Sequence, residues 1–186
     1  MTRTALNTHE AMDTQLSKHF TLAELTRSAT ATRHNIDNTP PAEVVKHLRL
    51  LAQEVLEPLR CRFGVLRITS GYRCEELNRR VGGVKNSQHL TGDAADLHLS
   101  TREEGEKMRH WALEKHLPVR QILVEYNRNT GARWLHIGRE TDAKPQSKPQ
   151  GLDMAPDRCY LCNAKQTIKP TPATGLNFRN YARTFY

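Results

Sequence analysis

The sequence predicts a domain built from both helices and strands, and three observations support this class. Apolar residues recur at three- and four-residue steps over residues 44–59, which is the period of a helix with one buried face. Residues 94–99 show the period-two alternation of a strand. Two further strand-like segments, 121–126 and 132–137, flank a polar turn, and this arrangement predicts a β-hairpin.

The first part of the domain is predicted to contain two helices. Thr21 and Glu24 form a capping box, in which threonine is the N-cap and glutamate follows three residues later. A short helix should therefore begin there and end near Arg27. A polar loop is expected over residues 28–38. The longest helix is expected over residues 39–59, where prolines occupy the first turn and their missing N–H groups cost nothing.

The second part of the domain is predicted to alternate strands with helices. A strand is expected over residues 65–69 and a short helix over residues 75–80. After the strand at 94–99, Ser100 and Thr101 can cap a further helix over residues 103–115, which precedes the hairpin. The residues of this helix that should face inward are Met108, Trp111 and Ala112.

Composition divides the chain into three parts. Residues 1–18 are predicted to be a flexible lead, residues 19–139 a folded domain, and residues 140–186 a linker and C-terminal tail of unknown role. The tail contains Cys159 and Cys162 in a CxxC arrangement, but it offers no clear second pair of ligands for a structural metal site. Free thiols or a local disulfide are the favoured interpretation, with metal binding as the alternative.

Charge and hydropathy indicate a soluble, basic protein. The formal net charge is +8, and such a surface favours polyanions such as nucleic acid, an anionic membrane or an acidic cell wall. Scattered, solvated surface charge is the alternative interpretation. No apolar run is long enough to span a bilayer. Residues 1–17 lack the apolar core of a signal peptide, so we expect the protein to be made in the cytoplasm and not secreted by the usual route.

Two histidines and one aspartate indicate a metal site. His89 and Asp96 lie seven residues apart with Gly92 between them, and Asp96 interrupts an apolar strand in which an unpaired carboxylate would be costly to bury. His136 interrupts the apolar segment 134–137 in the same way. Two imidazoles and one carboxylate suit zinc and leave a fourth position open for water, as catalysis requires. The sequence therefore predicts these three residues as ligands of one Zn²⁺ ion.

Several short motifs extend this pattern along the chain. They are Ser70-Gly71-Tyr72-Arg73, Leu77-Asn78, Val81-Gly82-Gly83, Ser87-x-His89-x-x-Gly92-x-Ala94-x-Asp96 and Trp134-x-His136. Together they resemble the zinc peptidoglycan peptidases that include D-alanyl-D-alanine carboxypeptidases and the L-alanyl-D-glutamate endopeptidases of phage endolysins. The resemblance runs from about Phe20 to Ile137, and residues 20–38 resemble the opening of the subgroup often found in phages and prophages.

The resemblance implies a small α+β fold in which helices pack on an antiparallel sheet, as in DD-peptidases and the hedgehog signalling domain, with one zinc site. It also implies that Arg73 binds a carboxylate or carbonyl of the substrate and takes part in catalysis. Tyr72 and Ser87 are expected to bind substrate beside it. A guanidinium suits this task because it keeps its charge and presents a planar fork of donors. A surface charge at the start of a helix is the alternative interpretation of Arg73.

The chain departs from the family at one position. In several relatives an acidic residue three positions before the last histidine is the general base, whereas this chain has Arg133, which cannot take a proton. The nearest acid on the preceding strand of the predicted hairpin is Glu125, and we expect it to act as the base if the hairpin register places it on the face of His136. An exposed edge-strand charge is the alternative interpretation of Glu125, and Asp93 and His98 are alternative bases.

The implied function is a zinc-dependent peptidase that hydrolyses peptide bonds in bacterial peptidoglycan, and an endolysin-type endopeptidase is the favoured interpretation. A D-Ala-D-Ala carboxypeptidase is one alternative. A non-catalytic zinc-binding module of a virion, or one that binds the wall, is another, which Arg133 keeps open. The expected partner is the peptidoglycan stem peptide, with no nucleic acid and with the protein as a monomer. The enzyme would stay in the cytoplasm until its release to the cell wall.

Overall fold

A four-stranded antiparallel sheet and the helices packed against it form the described part of the chain. The computed structural model describes residues 14–141. In chain order the elements are α1 (Leu22–Thr26), α2 (Ala29–Arg33), α3 (Ala42–Leu51), a π-helical turn (Ala52–Leu56), α4 (Glu57–Phe63), β1 (Ile68–Ser70), α5 (Glu75–Arg80), β2 (Ala94–His98), α6 (Arg102–Glu114), β3 (Val119–Tyr126) and β4 (Arg133–Arg139). The sheet order is β1-β2-β4-β3. The fold is therefore of the α+β class, as predicted, and its likeness to the hedgehog domain stays a prediction.

Packed structure begins a few residues before the predicted domain. Leu16 and Phe20 are each 1% exposed and belong to the apolar core. Helix α1 follows, and the Thr21 hydroxyl accepts a hydrogen bond from the N–H of Glu24, which confirms the predicted cap. Cys159 and Cys162 lie outside the described residues. The three-part division of the chain stays a prediction.

The predicted polar loop over residues 28–38 is wrong in part, because helix α2 forms within it. Ser28 is its N-cap, and the Ser28 hydroxyl accepts a hydrogen bond from the N–H of Ala31. The Thr32 hydroxyl donates to the carbonyl of Ser28. A five-residue helix is too short to show a helical period of apolar residues in the sequence. The Ser28 cap was its only local signal.

The longest helical segment is interrupted by the π-helical turn between α3 and α4. In an uninterrupted α-helix, each N–H donates to the carbonyl four residues earlier, but Pro58 has no N–H to donate. Immediately before it, the N–H of Glu57 donates to the carbonyl of Ala52, five residues earlier. The segment then runs past the predicted end at Leu59 and stops at Gly64, which has a φ of 83°.

The sheet has one apolar face and one polar face. The apolar face packs against the long helical segment and α6 in a single core, as the stripe over residues 44–59 predicted. This core includes Leu48, Leu51, Ala52, Val55, Leu56, Leu59, Ala95, Leu97, Met108, Ala112, Ile122, Val124, Leu135 and Ile137. Because side chains alternate along a strand, the residues between these strand positions lie on the opposite, polar face. The candidate site lies on that face.

The strand register aligns the polar face in rows. Strands β3 and β4 form the predicted hairpin, with Leu123 opposite His136 and Glu125 opposite Trp134. Strand β2 lies on the other side of β4, with Asp96 opposite His136. The first strand was predicted over residues 65–69 but covers Ile68–Ser70. Within residues 14–141, none of the helices has the length and apolar character to cross a membrane.

Candidate metal centre

The two strand ligands are brought together by the register of the sheet. Asp96 on β2 and His136 on β4 are directly opposite each other, so their side chains project from neighbouring positions on the polar face. His89 comes from the loop before β2. That loop turns at Gly92, which has a φ of 78° and lies so close to α3 that an added Cβ would be 2.9 Å from Val44 Cγ1.

The three predicted ligands converge. One donor atom from each of His89, Asp96 and His136 lies within 4.8 Å of the others. Asp96 Oδ1 is 3.3 Å from His89 Nε2 and 2.9 Å from His136 Nδ1. A tetrahedral zinc ion with ligand distances of about 2.0–2.2 Å separates its donors by ~3.3 Å. The two-imidazole, one-carboxylate set therefore fits zinc in donor chemistry, and the separation of the His89 and Asp96 donors matches that of tetrahedral ligands.

His89 is held in one orientation by its second ring nitrogen. It is 3% exposed, and its Nδ1 lies 2.7 Å from the carbonyl oxygen of Gly71. Since a carbonyl only accepts, Nδ1 carries the proton and Nε2 is the nitrogen left to bind a metal. Gly71 itself packs directly on the backbone of Leu25, because an added Cβ there would overlap the Leu25 carbonyl.

Asp96 is a buried carboxylate with several partners. Burial alone would raise the pKa of Asp96, but the neighbouring imidazoles of His89 and His136 outweigh burial and hold that pKa well below its ordinary value. Arg73 Nη2 donates to Asp96 Oδ2 at 2.7 Å, and Arg73 Nε donates to Ser70 Oγ at 2.8 Å. The predicted substrate-binding arginine therefore lies at the candidate metal centre itself.

The other two predicted substrate-binding residues, Ser87 and Tyr72, lie in different environments. Ser87 lies in the motif loop, and its hydroxyl accepts a hydrogen bond from the N–H of His89 at 3.3 Å. Tyr72 is 8% exposed and belongs to the apolar core, and burial raises the pKa of its phenol. This placement favours a structural role for Tyr72. The substrate contacts of both residues stay predictions.

Glu125 meets the condition set for a general base, since it lies on the same face as His136. Glu125 is opposite Trp134, which is two residues from His136 and therefore shares its face. The indole Nε1–H of Trp134 donates to Glu125 Oε2 at 2.6 Å. The base role of Glu125 stays a prediction, but the register gives it the required face.

Arg133 lies on the other face of the sheet. It is three residues from His136, and an odd separation within a strand places two side chains on opposite faces. Its guanidinium carbon lies 4.8 Å from the ring centroid of Tyr126, its cross-strand neighbour. In this hairpin, position 133 therefore does not face the metal ligands.

Asp93 and His98, the alternative bases, lie in different environments. Asp93 is 3% exposed and accepts a hydrogen bond from Arg139 Nη2 at 2.9 Å, and its other oxygen is 3.0 Å from His47 Nδ1. This partly buried network ties the start of β2 to β4 and α3. The sequence did not indicate Arg139 or His47, because isolated charged residues carry no pattern. His98 is opposite Trp134 on the polar face.

Comparison with known proteins agrees with this site. The family model described as Peptidase M15 matches residues 18–137, which is more than half of the chain. No curated protein matches the chain. The matched span contains all three metal-ligand candidates, Arg73 and Glu125. The chain therefore belongs to the Peptidase M15 family, the zinc metallopeptidases that its motifs resemble.

Proposed function

We propose that this protein hydrolyses peptide bonds in bacterial peptidoglycan as a zinc-dependent, endolysin-type endopeptidase. The observation that carries the proposal is the convergence of His89, Asp96 and His136 on the polar face of the sheet. Family membership supports the metallopeptidase chemistry. The endopeptidase type is supported by residues 20–38, which resemble the opening of the phage subgroup.

Each residue of the site then has a chemical task. One ion held by the three ligands would supply Lewis-acid activation of water and of the scissile carbonyl. Glu125 accepts the proton of the attacking water and passes it to the leaving amine nitrogen. Arg73 presents a guanidinium beside the ligands, where it binds a substrate carbonyl or carboxylate and balances developing negative charge.

The test is digestion of purified peptidoglycan, followed by mass spectrometry of the released products. We expect wild-type protein loaded with zinc to release peptides with new amino termini within the stem. His89→Ala and chelator-treated protein should release none. His110→Ala is the matched control, because His110 is an exposed residue of α6 and should leave the products unchanged.

The products also separate the alternatives. Release of terminal D-alanine alone would identify a D-Ala-D-Ala carboxypeptidase. No release of any product, with zinc bound at one equivalent, would replace the peptidase with a non-catalytic zinc-binding module. The expected monomer can be checked on the same preparation by light scattering.

A further inference from the structure

The row of the polar face next to the metal ligands consists of Glu125, Trp134 and His98. Glu125 and Trp134 are opposite each other on β3 and β4, and His98 and Trp134 are opposite each other on β2 and β4. The adjoining row contains Asp96 and His136. Trp134 therefore lies directly between Glu125 and His98 and one row from the metal ligands.

We propose that Trp134 is a positioning residue, whose indole N–H holds the carboxylate of Glu125 in place beside the metal centre. This inference rests on the proposed function, in which Glu125 is the general base. The N–H donates to Glu125 Oε2 at 2.6 Å, which is short for an N–H···O hydrogen bond. Hydrogen bonds to an ionised acceptor are shorter and stronger than neutral ones.

The pair is suited to fix a carboxylate. An indole nitrogen can only donate, so its partner must be an acceptor such as a carboxylate oxygen. Both residues are held by the β3–β4 ladder, which sets the separation of their backbones. Glutamate has several rotatable side-chain bonds, and a second anchor near its end removes most of that freedom.

Core packing does not account for the position of Trp134. Its neighbours Leu135 and Ile137 are fully buried in the core, whereas Trp134 points to the other face and is half-buried. Among residues 14–141, Trp134 is neither in the core cluster nor among the hydrophobic residues packed against it. A large aromatic side chain on the polar face, with its only polar atom bonded to the proposed base, points to a role at the site.

A general base must lie within hydrogen-bond distance of the proton it takes, and a small displacement lowers the rate steeply. Removing the N–H should therefore lower kcat while leaving the metal in place. Partners that orient metal ligands typically contribute roughly 10–100-fold to activity, and we take the same range for a residue that orients the general base. We expect Trp134→Phe to lower kcat by roughly that factor, with KM within about threefold of wild type and zinc content unchanged.

The matched control is Trp111→Phe. The chain has two tryptophans, and Trp111 packs edge-on against Phe63 at 5.7 Å, away from the ligand row. The same substitution there should leave kcat near the wild-type value. In the Trp111→Phe protein, Trp134 can be replaced by benzothienylalanine, which keeps the bicyclic shape but has sulfur in place of the N–H. This second variant isolates the hydrogen bond if phenylalanine disturbs folding.

A double-mutant cycle with Glu125→Asp tests the coupling. The shorter aspartate is not expected to reach the indole from the same backbone position, so Trp134→Phe should have little further effect on kcat in that background. Equal losses in both backgrounds would show a purely structural role and overturn the inference. An unchanged kcat for the benzothienylalanine protein would also overturn it. Both outcomes leave the peptidase itself intact, whereas a wild-type protein that releases no product overturns the proposed function.

Discussion

At the scale of single residues, Arg73 connects the candidate metal ligands to their surroundings. Its guanidinium bonds to Asp96 Oδ2 and Ser70 Oγ through different nitrogens, and the same Nη2 lies 3.3 Å from His89 Nε2. Arg73 is thus both a proposed substrate-binding residue and a hydrogen-bond partner of Asp96, a candidate metal ligand. A lysine would keep the charge but could not span these acceptors with a rigid planar fork.

We predict that Arg73→Lys lowers kcat/KM by roughly 10–100-fold, because outer partners of metal ligands typically contribute that much. Steady-state kinetics on a soluble stem peptide, with zinc content measured in parallel, checks this. Arg67→Lys is the control, since Arg67 is exposed and precedes β1. Wild-type kinetics for Arg73→Lys would remove Arg73 from both roles.

Gly71 is a second residue on which the site depends. An added Cβ there would overlap the backbone carbonyl of Leu25, which also accepts the N–H of Tyr72 at 2.7 Å. An added Cβ at Gly138 would instead meet the side-chain amide of Gln88, and this side chain can move. We predict that Gly71→Ala lowers the free energy of unfolding by about 1–3 kcal/mol and Gly138→Ala by less. Urea unfolding of both variants tests this order, and a reversed order would contradict it.

At the scale of elements, the long helical segment also anchors the start of the fold. Glu57, the first residue of α4, accepts the N–H of His19 through Oε1 at 2.6 Å, and its Oε2 lies 2.7 Å from His19 Nδ1. Burial alone would raise the pKa of Glu57, but hydrogen bonds from His19 and Ser17 outweigh burial and lower it. The chain before α1 is thereby tied to the helix that forms the core.

The lowered pKa of Glu57 predicts a pH-dependent contribution to stability. A carboxylate whose folded-state pKa is below its unfolded value stabilises the fold above that unfolded value and loses this effect as pH falls through the folded one. We predict that Glu57→Gln lowers the free energy of unfolding by about 1–2 kcal/mol at neutral pH, and that the deficit shrinks in acid. Urea unfolding at pH 7 and pH 3 measures both values.

Glu43→Gln is the control for this experiment, because the ion pair of Glu43 with Lys46 is largely exposed to solvent. It should change stability little at either pH. If Glu57→Gln lost the same free energy of unfolding at both pH values, the charge of Glu57 would not contribute to stability. Its shape and hydrogen bonding would then account for the loss.

The elements also show what a sequence can and cannot predict here. The cap at Thr21 and helix α5 were predicted because their signals are local. Helix α2 was missed because its only local signal is one serine cap. The π-helical turn was missed because Pro58 lies within a continuous apolar stripe. The sequence pointed to the three candidate metal ligands because polar residues interrupt apolar strands, and the fold brings these three residues together. Tyr72 adjoins the motif arginine, and nothing local indicates its burial.

At the scale of the whole molecule, the candidate metal centre joins parts that are distant along the chain. His89 comes from the loop after α5, Asp96 from a central strand, and His136 from the hairpin. An ion bound by all three would tie the motif loop to both strands. Because the unfolded chain does not hold these donors together, metal binding should stabilise the folded state.

We predict that zinc raises the midpoint of thermal unfolding and that a chelator reverses this. Saturation at one hundred times the dissociation constant contributes about 2.7 kcal/mol, which corresponds to roughly 5–10 °C for a domain of this size. His136→Ala should lose the zinc-dependent increment, whereas His110→Ala should keep it, because His110 is exposed on α6. Differential scanning calorimetry of each protein, with zinc and with chelator, gives the comparison. If His136→Ala kept the zinc-dependent rise in the unfolding midpoint, the stabilising ion would be bound by other residues. His89 and Asp96 alone would leave the ion with two protein ligands, and a catalytic zinc site has three.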